Sequence, residues 1–436
     1  MVFHFAAATM VGRPQGRHWV HGGRICAAAF LALTAMVASS PSTAQTPPQF
    51  TVAFIGDQGL TAAARNVLHL IVAEGADAVL HSGDFDYTDD PPAWNAQIDS
   101  ILGVDFPYFA SIGNHDEVHY YGPGGYQEYI AARMNRLGIP WSGDLGVQCN
   151  FVYQGIDFVL TAPGIAGSGH DTYIRDHFAT SASRWRVSSH HKVMHLMQPE
   201  GKDDDTGWGV YEEARQAGAI IATAHAHAYS RTHLLDHMQT LSIASTEALL
   251  AVSGDDVMTP ADEGATFAFV SGLGGKSTRP QEASGAWFAS IYTETQDAEY
   301  GALFGVFNLA GIPDLAHFYF KTISGQIIDE FYVRTRVVPA VTGIGADDAG
   351  ALALRLASSG ERRRVVVLYR LPAPMPVSLD VFDVRGRLVV TAFRNAPHAA
   401  GDHRWQWDGK TPGAGVYFVQ LRTPRDGRAV RAVLRP

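Results

Sequence analysis

Phe50-Thr51-Val52-Ala53-Phe54-Ile55-Gly56-Asp57-Gln58-Gly59 is an apolar, β-prone run that ends in a glycine and a carboxylate. Two later stretches have the same form. Ala78-Val79-Leu80 leads to Gly83-Asp84-Phe85-Asp86-Tyr87, and 107–112 leads to Gly113-Asn114-His115-Asp116. Between them, 61–74 has helical spacing with Val67, Leu68, Ile71 and Val72 on one side. Residues 91–102 read as a helix with proline near its start, and 125–137 as a third helix. Strands apolar on both faces, alternating with helices, predict an α/β fold whose sheet is buried between helix layers. In such folds ligand-binding residues lie just past the strand C-termini.

Two more apolar runs extend the pattern. Residues 185–189 run into His190-His191, and 219–224 into His225-Ala226-His227-Ala228-Tyr229. Taken singly, each block has an ordinary reading. Gly-Asp is commonly a turn, His-x-His a strand with one packed imidazole, and Asn-His-Asp a helix N-cap. Together, five strands deliver carboxylates, an amide oxygen, a phenol and imidazoles to one sheet edge. That set suits a pair of hard-to-borderline cations sharing a bridging carboxylate.

The order Asp57-x-Gly, Gly-Asp84-x-x-Tyr87, Gly-Asn114-His115-Asp116, Val187-x-x-His190, Ala-His225-x-His227 resembles the calcineurin-like metallophosphoesterases. Within them it is similar to the purple acid phosphatases, because Asp57-Gln58-Gly59 stands where most relatives have Asp-x-His and Tyr87 follows Asp84 by three. The likeness covers roughly residues 50–335. It implies a four-layer αββα sandwich, with alternating runs after residue 298 finishing its second sheet. It further implies that Asp57, Tyr87 and His227 hold a first metal, that Asp84 bridges, and that Asn114, His190 and His225 hold a second. Fe(III) is the implied occupant of the tyrosine site, and Fe(II), Zn(II) or Mn(II) of the other. The implied reaction is hydrolysis of phosphate monoesters by in-line attack of a metal-activated hydroxide, with His115 protonating the leaving group or holding the phosphate.

Several residues stay open. His190 and His191 compete for the fourth block. Adjacent strand residues face opposite ways, so one ligates, and the Val187-x-x-His190 spacing favours His190. Asp116 either accepts the second ring N–H of His115 or caps its loop. His195 is either a phosphate-contacting imidazole or a surface residue, and Asp86 either bonds a ligand or caps. Ala224 replaces a glycine usual before His225, which is tolerable only if its φ is not positive. Gly272-Leu273-Gly274-Gly275-Lys276-Ser277 fails as a phosphate loop, since Val270 stands where the first glycine should, and reads as a turn closing the sheet near the site.

Charge and the chain ends bound the rest. The net charge of −10 divides unevenly. Residues 45–339 hold 15 basic and 35 acidic residues, residues 340–436 hold 15 and 8, and 1–44 hold three arginines and no acid. A net −20 body disfavours a stable nucleic-acid partner. No run is long enough to span a membrane once residues 1–44, read as a signal peptide, are removed. That reading places the protein outside the cytoplasm: periplasmic, cell-surface or extracellular. Cys26 lies in the signal, so Cys149 would be alone and no disulfide framework exists.

Residues 45–337 form the body, 338–350 a linker, and 351–436 a small β-rich module of short runs divided by Gly/Pro/Asp turns. Val381-Phe382-Asp383-Val384-Arg385-Gly386-Arg387-Leu388 and Gly413-Ala414-Gly415-Val416-Tyr417-Phe418 resemble immunoglobulin-like modules of the flagellar-hook-assembly and type IX secretion sorting kinds. The resemblance implies secretion or cell-surface machinery as a partner, beside a small phosphorylated substrate. Two rival functions remain open: a phosphodiesterase or nucleotide hydrolase using the same ligands, and an inert, surface-displayed binding protein.

Overall fold

The computed structural model describes residues 48–255, 263–337, 352–357, 365–407, 415–424 and 427–434. The signal segment and the linker lie outside the described residues. The body begins β1 (Phe50–Ile55), α1 (Ala62–Ala73), β2 (Ala78–Ser82), α2 (Pro91–Ile101), β3 (Tyr108–Ser111) and α3 (Tyr126–Arg136). Then come β4 (Ser142–Asp144), β5 (Gln148–Tyr153), β6 (Ile156–Thr161), α4 (His170–Ala179), β7 (Trp185–Ser189), α5 (Gly209–Gln216) and β8 (Ile220–Thr223). It continues with β9 (Tyr229–Thr232), β10 (Leu234–His237), β11 (Ser242–Ser245), β12 (Leu249–Asp255) and β13 (Glu263–Ala265). It closes with β14 (Ala268–Ser271), β15 (Phe288–Tyr292), β16 (Gly301–Phe307), β17 (Leu315–Thr322) and β18 (Ile327–Thr335).

Two eight-stranded sheets result, ordered β13-β12-β18-β17-β16-β1-β2-β3 and β15-β9-β14-β8-β7-β6-β5-β4. Strands β1, β2 and β3 run parallel, as do β6, β7, β8 and β14. The sheets meet through an aromatic core. Phe54 of the first lies 5.2 Å from Phe269 of the second, Phe109 5.7 Å from Phe158, and Phe307 5.0 Å from Trp185. Edge-to-face rings such as Phe54 on Phe269 and Phe307 on Trp185 add to simple burial. Helices α1 and α3 contact strands of the first sheet, α4 contacts β5 of the second, and α5 contacts β8 of the second together with β12 and β13 at the end of the first. Local chemistry sets the helix starts: the Thr61 hydroxyl and the Asp90 carboxylate each accept a backbone N–H of the first turn.

The C-terminal module comprises β19 (Ala353–Ala357), β20 (Val365–Leu371), β21 (Met375–Asp383), β22 (Leu388–His398), β23 (Gly401–Trp407), β24 (Gly415–Arg422) and β25 (Gly427–Leu434). They form sheets β19-β20-β23 and β22-β21-β24-β25, antiparallel throughout. Val367, Tyr369, Leu379, Val381, Trp405 and Val419 share one buried core.

Candidate metal centre

The loops after β1 and β2 run side by side. Three successive N–H groups, of Asp57, Gln58 and Gly59, donate to the carbonyls of Gly83, Asp84 and Phe85 at 3.0–3.1 Å. This zipper forces the chain out of strand geometry where the acidic residues stand. Asp57, Asp84, Tyr87 and His225 all have positive φ, between 55° and 67°. Non-glycine residues bear that cost where the surroundings over-determine it, which is common at functional sites.

Six donor atoms form two triangles. In the first, Tyr87 Oη lies 2.7 Å from Asp57 Oδ1 and 3.1 Å from His227 Nε2, and the last two are 3.4 Å apart. In the second, His191 Nε2 lies 3.3 Å from Asp84 Oδ1 and 3.1 Å from His225 Nδ1. The Asp84, His191 and His225 donor atoms all fall within 4.8 Å of one another. Asp84 also acts on Tyr87, so it lies between the triangles. Asn114 Oδ1 is buried with no partner among the described residues, a spare acceptor on the loop after β3. Two of the imidazoles are fixed through their outer nitrogens: His191 Nδ1 by the Ser82 carbonyl at 2.7 Å, His227 Nδ1 by the Ser277 hydroxyl at 2.5 Å. His225 Nε2 faces Asp205 at 3.8 Å. Outer partners of this kind orient metal-binding histidines.

The electrostatics fit cations. Burial opposes charge on His191, but Asp84 overrides it and holds the imidazole up at about 9. Burial and the charge of His191 push His225 down to about 3. Burial and the nearby Asp57 and Asp84 push the Tyr87 phenol far up. A proton on His191 thus supplies the positive charge the cluster calls for, and a cation there would displace it. Two carboxylates, a phenol, an amide oxygen and three imidazoles suit a pair of such ions.

The fourth block needs correction. His191, not His190, faces the cluster. Trp185 and Val187 of β7 point into the inter-sheet core, and His191 continues that parity. His190 falls on the other face with Arg186, whose guanidinium lies over Phe178 of α4. Its ring packs edge-on against Tyr211 of α5 at 5.1 Å, with neither nitrogen bonded. Asp116 does not hold the His115 ring. Its carboxylate accepts the N–H groups of Asp84, Phe85 and Gly113 at 2.7–2.9 Å and staples two loops together. His195 is exposed, its Nδ1 paired with the Lys202 carbonyl at 2.8 Å, so it stays on its own loop. His115 does reach the cluster. Its N–H donates to Asp84 Oδ1 at 2.9 Å, and its exposed ring lies 4.7 Å from that of Tyr87. Asp86 is a cap, accepting from Thr88, Asp89 and Asp90.

Ala224 keeps a non-positive φ. Its methyl instead fills the space beside Gly56, where an added Cβ would come within 2.2 Å. Gly56→Ala is therefore expected to cost about 1–3 kcal/mol by overpacking, read as a lowered urea midpoint. The companion Gly56→Ala/Ala224→Gly should recover most of it. Equal midpoints for the first variant and wild type would refute the steric account.

The glycine turn following β14 supplies residues the sequence reading passed over. Gly274 and Lys276 donate backbone N–H groups to the carbonyls of Gly56 and Asp57, both at 3.0 Å. This aims Ser277 at His227 and sets the Lys276 ammonium 4.2 Å over the Tyr87 ring. The chain has five lysines, and three of them surround the cluster. Lys276 covers Tyr87, Lys202 acts on His225, and Lys192 follows His191 and pairs with Asp205 at 3.4 Å.

The sequence model of the calcineurin-like phosphoesterases matches residues 50–245. A search of curated proteins gives no match. Among solved structures, the chain is similar to GAP50, the anchor in the inner membrane complex of Plasmodium, at 10% identity and TM-score 0.41, over 66% of this chain and 89% of that one. It is similar to PhoD at 12% identity and TM-score 0.43, over 66% and 70%. A conserved uncharacterized protein of Streptococcus pneumoniae TIGR4, a predicted phosphoesterase, gives 12% identity and TM-score 0.26, over 65% and 98%. Residues 50–245, which carry all the donors of both triangles, are a calcineurin-like phosphoesterase domain, and metal-dependent hydrolysis of phosphoric esters is the activity that domain indicates.

Proposed function

We propose that the protein is an exported, dinuclear, acid-phosphatase-like hydrolase of phosphate monoesters. The observation that carries this reading is the pair of adjacent donor triangles, with Asp84 of the second also acting on Tyr87 of the first. Asp57, Tyr87 and His227 would hold one metal, His191, His225 and Asn114 the other, and Asp84 would bridge. A phenol among the donors favours Fe(III) in the first position, with Fe(II), Zn(II) or Mn(II) in the second. Bound there, a cation pair supplies the positive charge that acidifies a water and offsets the charge on the phosphate oxygens.

The remaining steps belong to this chain's own groups. The exposed His115 ring stands against Tyr87 with a free edge for a phosphate oxygen. The exposed Lys276 ammonium over the Tyr87 ring offers an anionic substrate a positive charge in a body whose net charge is −20. The Asp116 staple keeps the Asp84 and Gly113 loops from shifting during turnover. The N-terminal 44 residues serve export to the periplasm, surface or medium. The C-terminal sandwich, immunoglobulin-like in this reading, serves secretion or surface attachment.

The test couples metal analysis with turnover of p-nitrophenyl phosphate and its bis-ester. Two metals per chain and preference for the monoester support the reading, and preference for the bis-ester replaces it with a phosphodiesterase. As isolated and oxidised, the protein should absorb visible light through a tyrosinate–Fe(III) transition that vanishes in Tyr87→Phe. A colourless, iron-free protein fully active with Zn or Mn would remove the iron assignment.

A further inference from the structure

Two clefts border the β4–β5 edge of the second sheet. The first, of about 410 Å³, is walled by Gln127 and Glu128 of α3, by Trp141 and by Asp144 of β4. The second, of about 520 Å³, is walled by Gln148 and Asn150 of β5 and by Thr172, Asp176 and His177 of α4. The clefts are neighbours, because Asp144 and Gln148 are register partners across β4 and β5. No donor of the metal centre lines either of them.

The hydrogen-bond donors of these walls are turned onto the protein itself. The Gln148 amide N–H donates to the Ser168 carbonyl at 3.2 Å, and the Asn150 amide N–H to the Tyr173 hydroxyl at 2.6 Å. The Gln127 amide N–H donates to Asp144 Oδ1 at 2.7 Å and to the Leu145 carbonyl at 2.9 Å. His177 Nε2 donates to Asp157 at 2.8 Å, and that carboxylate is 1% exposed and also accepts the Ser181 hydroxyl. A neutral imidazole so held keeps Nδ1 as an acceptor. The side-chain oxygens of Gln127, Gln148 and Asn150 have no partner among the described residues. The clefts therefore present acceptors and call for a ligand rich in hydroxyl donors. Their carboxylates are already engaged. Asp144 Oδ2 accepts the Tyr121 hydroxyl at 2.8 Å, Glu128 the Gly124 N–H at 2.5 Å, and Asp176 pairs with Arg175 at 3.0 Å. That favours a neutral ligand over an organic cation. Trp141, half-buried, is the one aromatic wall of the first cleft. A flat indole packs well against the C–H face of a pyranose ring.

We propose that the β4–β5 edge is a binding site for a neutral oligosaccharide. Trp141 is the platform for one sugar ring, and Gln127, Gln148, Asn150 and His177 accept hydrogen bonds from the hydroxyl groups. Each cleft has a volume within the roughly 300–1,000 Å³ usual for small-molecule sites. The site stands apart from the phosphatase reading, since it holds a glycan without occupying the metal centre.

The experiment applies the full chain, with its metals, to an array of neutral glycans and titrates the best-bound one by calorimetry, with spermidine and choline as cationic controls. Trp141→Ala and Asn150→Ala should each weaken glycan binding about tenfold. Thr172→Arg places a long side chain in the second cleft and should weaken it at least as much. Thr172 is exposed, so that variant keeps its fold and its loss of binding reports the cleft. Turnover of p-nitrophenyl phosphate should stay at the wild-type level in all three variants. No saturable binding of any neutral glycan, binding of the cations alone, or glycan binding that either Trp141→Ala or Thr172→Arg leaves unchanged would overturn the assignment. None of those results bears on the phosphatase reading, which falls only with the turnover of the wild type.

Discussion

Asp84→Ala is expected to lower kcat/KM on p-nitrophenyl phosphate by roughly 10³-fold or more, about 4 kcal/mol of transition-state stabilisation. Metal content should fall below one per chain. Asp84 is 1% exposed, and its Oδ1 meets His191 Nε2 at 3.3 Å and the His115 N–H at 2.9 Å. Burial alone would raise its pKa, but His191 and His115 override it and hold the carboxyl below the ordinary carboxylate range. Removing it takes away the charge that both triangles share and the acceptor that fixes the His115 backbone. The side chain has no substitute, since Asp116 is committed to three backbone N–H groups. Asp84→Asn keeps the shape and loses the charge, so it should fail nearly as badly. Two retained metals with more than a tenth of wild-type activity in either variant would show that the centre does not need this carboxylate.

The parts legible in the sequence were those that depend on period and order. Apolar strands ending in Gly-Asp or Gly-Asn, helices opened by Thr61 and Asp90, and the His-x-His after β8 can be found by counting. Loop closure was not legible. Nothing in Pro-Glu-Gly marks Glu200 as buried, and nothing in Lys-Asp-Asp-Asp marks Asp205 as the partner of His225 Nε2. Ser277 and Lys276 stood in a glycine turn correctly placed near the site, but the backbone bonds to Gly56 and Asp57 that aim them join residues more than 200 positions apart. In the C-terminal module β22 runs from Leu388 through Pro397 to His398. It does so because β22 is an edge strand, where a missing N–H leaves no ladder bond unmade.

The fourth-block histidines give the other large effect, and here a signal in the sequence was present but unused. Trp185 and Val187 are the apolar residues of β7, so the inner face takes odd positions, and His191 belongs to it. His191→Ala should therefore lose the second metal and roughly 10²–10³-fold in kcat/KM, the order seen when a strongly placed polar group is removed from a catalytic centre. His190→Leu should keep both metals and activity within about threefold. Burial holds His190 down at about 3, so it is neutral, and its ring nitrogens have no partner among the described residues. Replacing an unpartnered buried ring by an apolar side chain sacrifices packing against Tyr211 but no hydrogen bond, so stability should move by no more than about 1.5 kcal/mol. Metal analysis and urea unfolding of the two variants separate the roles. Loss of metal in His190→Leu with retention in His191→Ala would mean that β7 presents the opposite face to the centre, and with it that Ser189, bonded to Ser82 at 3.0 Å, is not on the inner side.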